Sequence, residues 1–290
     1  MDKKGIFVFL AVTLALSWIV QIIGIFTAMW VSYLILATPA VGAYVARKAS
    51  RQTEAHSAAW PLPKAAALRI AIVTPLVFAV IYTATSLAGL TRPDWDFKNM
   101  MFELASTAEA SGAAALQMEG SGTLFPVLAI IFTLVLGPTL VAGAVFGIEY
   151  GWRGYLLPRL MPLGRWPAYG LTGLAWGLSM APMHMTGKSH SALAQLVLFL
   201  GVMLALSVIL GELWRRSHHI GLTAVFYGTF VMQQNGFLPF LFPESGIEFP
   251  WGGTYGVVSL AAWVVVAAFP VFFFGRIGKA AEAKVLTPAK

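Results

Sequence analysis

The chain has 290 residues, of which 58% are apolar and only 11% charged, and its mean hydropathy is +0.77. A water-soluble domain needs about 25% charged residues to cover its surface, so this composition excludes one and makes lipid the main solvent. The net charge of +7 does not mark a nucleic-acid binder, because no basic stripe with interleaved aromatics lies outside the apolar runs; the absence of cysteine excludes disulfides and thiolate metal sites.

Apolar runs recur at 6–28, 29–46, 67–90, 124–147, 168–185, 191–213, 219–236 and 251–275. A spanning helix needs about 20 mostly apolar residues, so the expectation is an all-α polytopic bundle of about eight transmembrane helices. The whole chain, 1–290, reads as a single membrane domain. Met1-Asp2-Lys3-Lys4 resembles the start of a signal peptide, but the apolar run passes Trp18 to Trp30 without a small-residue cleavage site and reads as an uncleaved anchor. With the N-terminus in the cytoplasm, sixteen of the nineteen basic residues, Arg153 among them, fall on the inner side; Arg92, Lys98 and Lys188 fall outside. Both termini are then cytoplasmic, and the expected location is a bacterial inner or plasma membrane.

Residues 91–122 form the long extracytoplasmic loop, acidic through Asp94, Asp96, Glu103, Glu109 and Glu119. Phe97, Met100, Met101 and Leu104 predict a short amphipathic helix there. The pairs Gly143/Gly147, Gly147/Gly151 and Gly173/Gly177 predict close backbone packing of the fourth and fifth spans, against each other or a neighbour. Pro138 and Pro182 predict kinks in those two helices. Trp30, Trp152, Trp166, Trp214 and Trp251 sit near predicted span ends and read as an aromatic belt. Met180, Met183 and Met185 read as a soft apolar cluster.

The most unusual stretch is Gly147-Ile148-Glu149-Tyr150-Gly151-Trp152-Arg153-Gly154-Tyr155-Leu156-Leu157-Pro158-Arg159-Leu160. Glu149 and Arg153 are four apart and share a helix face, where pairing offsets the cost of a carboxylate at membrane depth, about 2.5–3.5 kcal/mol on insertion scales. Two readings stand for them: a helix-end ion pair, or a catalytic or ligand site. Glu212 reads as a local ion pair with Arg215 and Arg216, and His218 and His219 as basic anchors toward lipid headgroups.

The run from Glu149 to Leu160 resembles the first signature of the CPBP family, also called Abi or CAAX-protease-like membrane proteins, which includes type II CAAX prenyl endopeptidases. Leu174-Ala-Trp-Gly-Leu-Ser-Met-Ala-Pro182 and Ser217-His-His-Ile-Gly-Leu-Thr-Ala-Val-Phe-Tyr-Gly-Thr-Phe-Val231 are similar to its second and third motifs. The resemblance spans 124–236 and implies a helical core that hydrolyses peptides within the membrane. In the family, the first of two adjacent glutamates activates a water together with a histidine of the second motif. A histidine and an asparagine of the third motif stabilise the oxyanion.

Carried over by position, Glu149 and Arg153 match the second glutamate and the arginine. Ile148 stands at the first glutamate, Met180 at the second-motif histidine, and Tyr227 and Val231 at the third-motif histidine and asparagine. Of these four substitutes, only tyrosine keeps a polar hydrogen. The resemblance therefore implies a pseudoprotease with no intact catalytic set and no cofactor or metal. Its implied role is as a scaffold or partner, in the lipid bilayer, for another membrane protein or a lipid-linked or peptide ligand. The alternative is an active glutamate-dependent endopeptidase using Glu149; a transport accessory is a third reading. A rebuilt site would join Glu149 to His184, one turn past Met180, although counting residues sets Glu149 at the inner boundary and His184 near the outer one. His184, Lys188 and His190 read as an interfacial cluster.

Overall fold

The computed structural model describes residues 2–50, 61–95, 124–185, 192–242 and 250–270. Among the described residues the secondary structure is helical throughout. The main helices are α1 (Lys3–Phe26), α2 (Thr38–Ser50), α3 (Lys64–Leu87), α4 (Leu124–Leu136), α5 (Phe146–Gly151), α6 (Arg165–Ser179), α7 (Ala181–His184), α8 (Ala192–Ser217), α9 (Ile220–Gln234), α10 (Phe237–Leu241) and α11 (Val257–Ala268), with single turns at Ala142–Ala144 and Leu157–Leu160 between α4 and α6. Four segments are long and apolar enough to cross a membrane individually: Lys3–Phe26, Lys64–Leu87, Val127–Ala144 and Ala192–Ser217. This is a multi-pass membrane protein.

The bundle has an apolar core and also an apolar outer surface, with polar and small residues turned inward on some helices. The buried face of α1 carries Gly5, Phe9, Thr13, Ser17, Gln21 and Gly24, a mostly small or polar stripe, while Ile19, Ile22, Ile23 and Phe26 are exposed. On α3, Thr74 and Thr85 are buried beside Ile70, Val77, Phe78, Ile81 and Tyr82, and Leu68, Ile72, Leu76 and Val80 are exposed. Lipid solvates apolar side chains, so the large apolar residues divide between core and lipid face, while groups that hydrogen-bond or allow close approach turn inward. Asp2 caps α1 through a 2.8 Å bond from Gly5 N to its Oδ1.

Several expected spans are interrupted. The run 29–46 divides into a 3-10 segment, Met29–Leu36, and α2. The run 168–185 breaks at Met180, and α7 starts beyond it with Pro182 in its first turn. At Pro138 the chain after α4 widens into a π-turn, Gly137–Val141, because proline has no N–H to continue the ladder. A second π-turn, Trp152–Leu156, follows α5, and helical turns continue to Leu163 before Gly164, at φ 95°, reverses the chain. The amphipathic segment around Phe97–Leu104, together with Lys188, His190 and the basic tail after 270, lies outside the described residues.

Glycine contacts decide between the two packings expected of the fourth and fifth spans: each lies on a neighbour. A Cβ on Gly147 would meet Leu36 O at 2.7 Å, and one on Gly151 would overlap Pro39, so α5 lies on the second helical unit. A Cβ on Gly173 would meet Ser207 Cβ at 2.8 Å, and one on Gly177 would meet Leu200 Cδ2 at 2.6 Å, which sets α6 on α8. Gly143 faces open space. Another close crossing is one that spacing did not mark: a Cβ on Gly228 would sit 2.5 Å from Ala142 N and 2.6 Å from Gly137 O.

Gly228→Ala therefore forces two backbones apart and is expected to destabilise by about 1–3 kcal/mol. Gly143→Ala should be neutral, or stabilising by about 0.5–1 kcal/mol through helix propensity. Unfolding of both variants in detergent checks the contrast.

Candidate functional site

Glu149 and Arg153 meet as the four-residue spacing predicts, with Arg153 Nη1 2.8 Å from Glu149 Oε1. Their position differs from the helix-end reading. Both side chains have no exposed surface, and Gly151 backs onto Pro39, beside Thr38, whose hydroxyl is 2.6 Å from that of Ser17. Trp152 meets Phe9 edge-on at 5.3 Å. The pair thus lies opposite the central turns of α1, about 10–20 Å from its start at ~1.5 Å per residue. Arg153 is accordingly a core cation and not one of the inner-loop charges. The cause is local: the chain stays helical through the second π-turn, so the pair is carried into the bundle.

Three residues from two helices close over it. The Arg153 guanidinium lies 4.3 Å from the centroid of the Trp176 ring, contributed by α6, and Tyr227 of α9 meets that ring edge-on at 4.9 Å. Thr223, one turn before Tyr227, flanks the carboxylate, while its hydroxyl donates to Ile220 O at 2.8 Å. Glu149 Oε2 and Arg153 Nε and Nη2 find no hydrogen-bond partner among the described residues. A desolvated ion pair gains Coulomb energy at low dielectric, but its contribution depends on partners for every remaining polar atom.

Of the other positions assigned by resemblance, Ile148 is buried beside Glu149 and Tyr227 sits at the ion pair. Met180 and Val231, each one turn past Trp176 and Tyr227, pack partly buried on the same core. His184 is elsewhere: its ring stacks on Phe199 at 3.7 Å and meets Tyr255 edge-on at 5.0 Å. Among the described residues no three His, Asp or Glu side chains gather as metal ligands would.

The break at Met180 is repaired by α1. Pro182 cannot donate to Leu178 O, and Trp18 Nε1 takes that carbonyl at 2.9 Å. Gln21 splices the next position, with its Nε2 2.7 Å from Ser179 O and its Oε1 facing Met183 N at 3.4 Å. The proline foretold freed carbonyls; nothing local foretold that their donors sit about 160 residues away in sequence.

Two further expectations change. Trp152 has no exposed surface and Trp214 only 6%, so neither belongs to a lipid-facing belt, whereas Trp166 and Trp251 are exposed. His219 does not face headgroups: it is buried, with Nε2 2.9 Å from Pro61 O. His218, at φ 50°, turns the chain between α8 and α9.

The helices that assemble this site coincide with a known domain. A family model described as type II CAAX prenyl endopeptidase Rce1-like matches residues 123–233. Over those residues the chain is similar to that family of membrane proteases. The match includes Glu149, Arg153, Trp176, Met180, Tyr227 and Val231 and omits α1, which the domain uses to mend its helix break. No curated protein and no solved structure matches the chain.

Arg153→Met strands a buried carboxylate and is expected to cost about 3–5 kcal/mol, while Glu149→Leu with Arg153→Met should recover most of that loss. Denaturation of the single and double variants in detergent measures the difference. Gln21→Leu leaves Ser179 O unpaired and should cost about 1–3 kcal/mol by the same measurement.

Proposed function

We propose that this chain is a catalytically inactive CAAX-protease-like membrane protein. Its role is that of a scaffold or binding partner for another membrane protein, a lipid-linked ligand or a peptide. One observation carries the reading: the retained carboxylate, Glu149, is sealed from solvent and committed to Arg153. The residues around it that correspond by resemblance to the hydrolytic groups are Ile148, Met180, Tyr227 and Val231. Loss of a general base costs about 10²–10⁴ in rate, and loss of one oxyanion donor about 10²–10³. The losses do not multiply, yet either one alone removes most of a hydrolytic rate.

The set of polar groups that hydrolysis needs is here replaced by aromatic packing, with Trp176 and Tyr227 occupying the space over the guanidinium. Binding then falls to the outer faces, where α3 and α4 present Ile72, Leu76, Val80, Val127, Leu128 and Ile131 to lipid or to another helix. The second reading is an active endopeptidase using Glu149. It draws support from Glu149 Oε2, a carboxylate oxygen with no hydrogen-bond partner among the described residues.

Purified protein incubated with quenched peptides, in detergent and in proteoliposomes, separates the two readings. The expected rate equals that of the Glu149→Leu/Arg153→Met blank; cleavage that disappears in the blank would overturn the pseudoprotease. Restoring Ile148→Glu, Met180→His, Tyr227→His and Val231→Asn together should create metal binding measurable by calorimetry without bringing back turnover. Crosslinking in native membranes tests the scaffold role, and recovery only as a free monomer counts against it.

A further inference from the structure

A second site lies away from the ion pair, at the end of the bundle where α6 begins and α8 and α11 finish. A cleft of about 420 Å³ opens there, lined by Arg165, Trp166, Glu212, Arg216 and the segment Ala267–Pro270. Its charges do not cancel. Glu212 is the acid, held by Arg215 Nη2 at 2.9 Å, Arg216 Nε at 3.0 Å and the Tyr169 hydroxyl at 3.1 Å, with Arg165 Nη1 3.8 Å away. Three guanidinium groups thus surround one carboxylate and leave an excess of two positive charges.

The distribution of donors matters as much as the sum. Arg215 spends Nε and Nη2 on Glu212, and Arg216 spends only Nε. The terminal amines of Arg216 and the half-exposed guanidinium of Arg165 keep donors for a ligand. Gly164 caps α6 without a side-chain hydrogen bond, so the first N–H groups of this 15-residue helix add positive potential on the same side. The opposite wall is apolar, with Ala267, Ala268 and Phe269 from the end of α11 and the exposed Trp166 ring. The guanidinium groups lie on the α6–α8 side, which sets the anionic group there.

We propose that this cleft binds an anionic phospholipid. The phosphate lies between Arg165 and Arg216, and the glycerol and upper acyl carbons lie along Ala267–Phe269 and Trp166. A basic rim joined to an apolar wall at a bundle end is the chemistry of a lipid headgroup; a soluble phosphate needs only the rim.

The test uses full-length protein in phosphatidylcholine nanodiscs, with phosphatidylglycerol added or with inorganic phosphate as the soluble probe. Thermal unfolding and native mass spectrometry read stabilisation and retained lipid. Phosphatidylglycerol is expected to raise Tm and to remain bound, and inorganic phosphate to do neither. Arg165→Gln with Arg216→Gln should weaken retention at least about tenfold, given roughly 1 kcal/mol per basic residue near an anionic surface. Arg165→Lys with Arg216→Lys should keep part of it. Ala268→Trp fills the apolar wall without touching a charge and should also reduce retention, which keeps the test decisive if the arginine variants fold poorly. Equal stabilisation by inorganic phosphate would assign the cleft to a soluble anion and overturn the lipid. Equal retention of both lipids, or retention unchanged in Ala268→Trp, would overturn the site.

Discussion

In lipid, every polar group that leaves water has to find its partner inside the protein. The arrangement of this bundle follows from that constraint. Thr13, Ser17 and Gln21 turn inward on α1 while its leucine-like residues face out. The Ser17 and Thr38 hydroxyls join α1 to α2, and Trp18 and Gln21 supply the donors that Pro182 removes from the α6–α7 break. A break in a helix at this depth is tolerated only because a neighbouring helix completes it. The N-terminal helix, outside the matched domain, is therefore structurally part of the site.

The same constraint explains how an acid and a base come to be buried together. Isolated, either Glu149 or Arg153 would be expensive in the interior; paired, they neutralise each other and the guanidinium gains the face of Trp176. The pair also needs room that only small residues provide. Gly151 admits Pro39 on one side, and Gly228 admits the backbone of Ala142 on another, which brings Tyr227 and Thr223 to the carboxylate.

Charge is handled differently at the bundle end. There Glu212 collects Arg165, Arg215 and Arg216 at partial exposure, where water and salt weaken each contact. The interior pair is closed and balanced, whereas the end cluster is open and carries surplus positive charge. This contrast separates a group that holds the fold from one available to a ligand, and it follows from depth in the bundle.

Composition and hydropathy by themselves determined that the chain is a helical multi-pass membrane protein, because the choice of solvent is written into every residue. Local spacing determined the Glu149–Arg153 contact, since a helix brings residues four apart together whatever surrounds them, and Pro138 and Pro182 marked real irregularities because a missing N–H acts where it stands. Only the tertiary structure decided how deep the pair lies, that Trp152 is core and not belt, that Gly151 opposes Pro39, and that His184 goes to Phe199 instead of Glu149. Those outcomes depend on which helix faces which. Apolar surface in lipid carries little orientational information, so the partners are selected by small-residue contacts and hydrogen bonds between segments far apart in the chain.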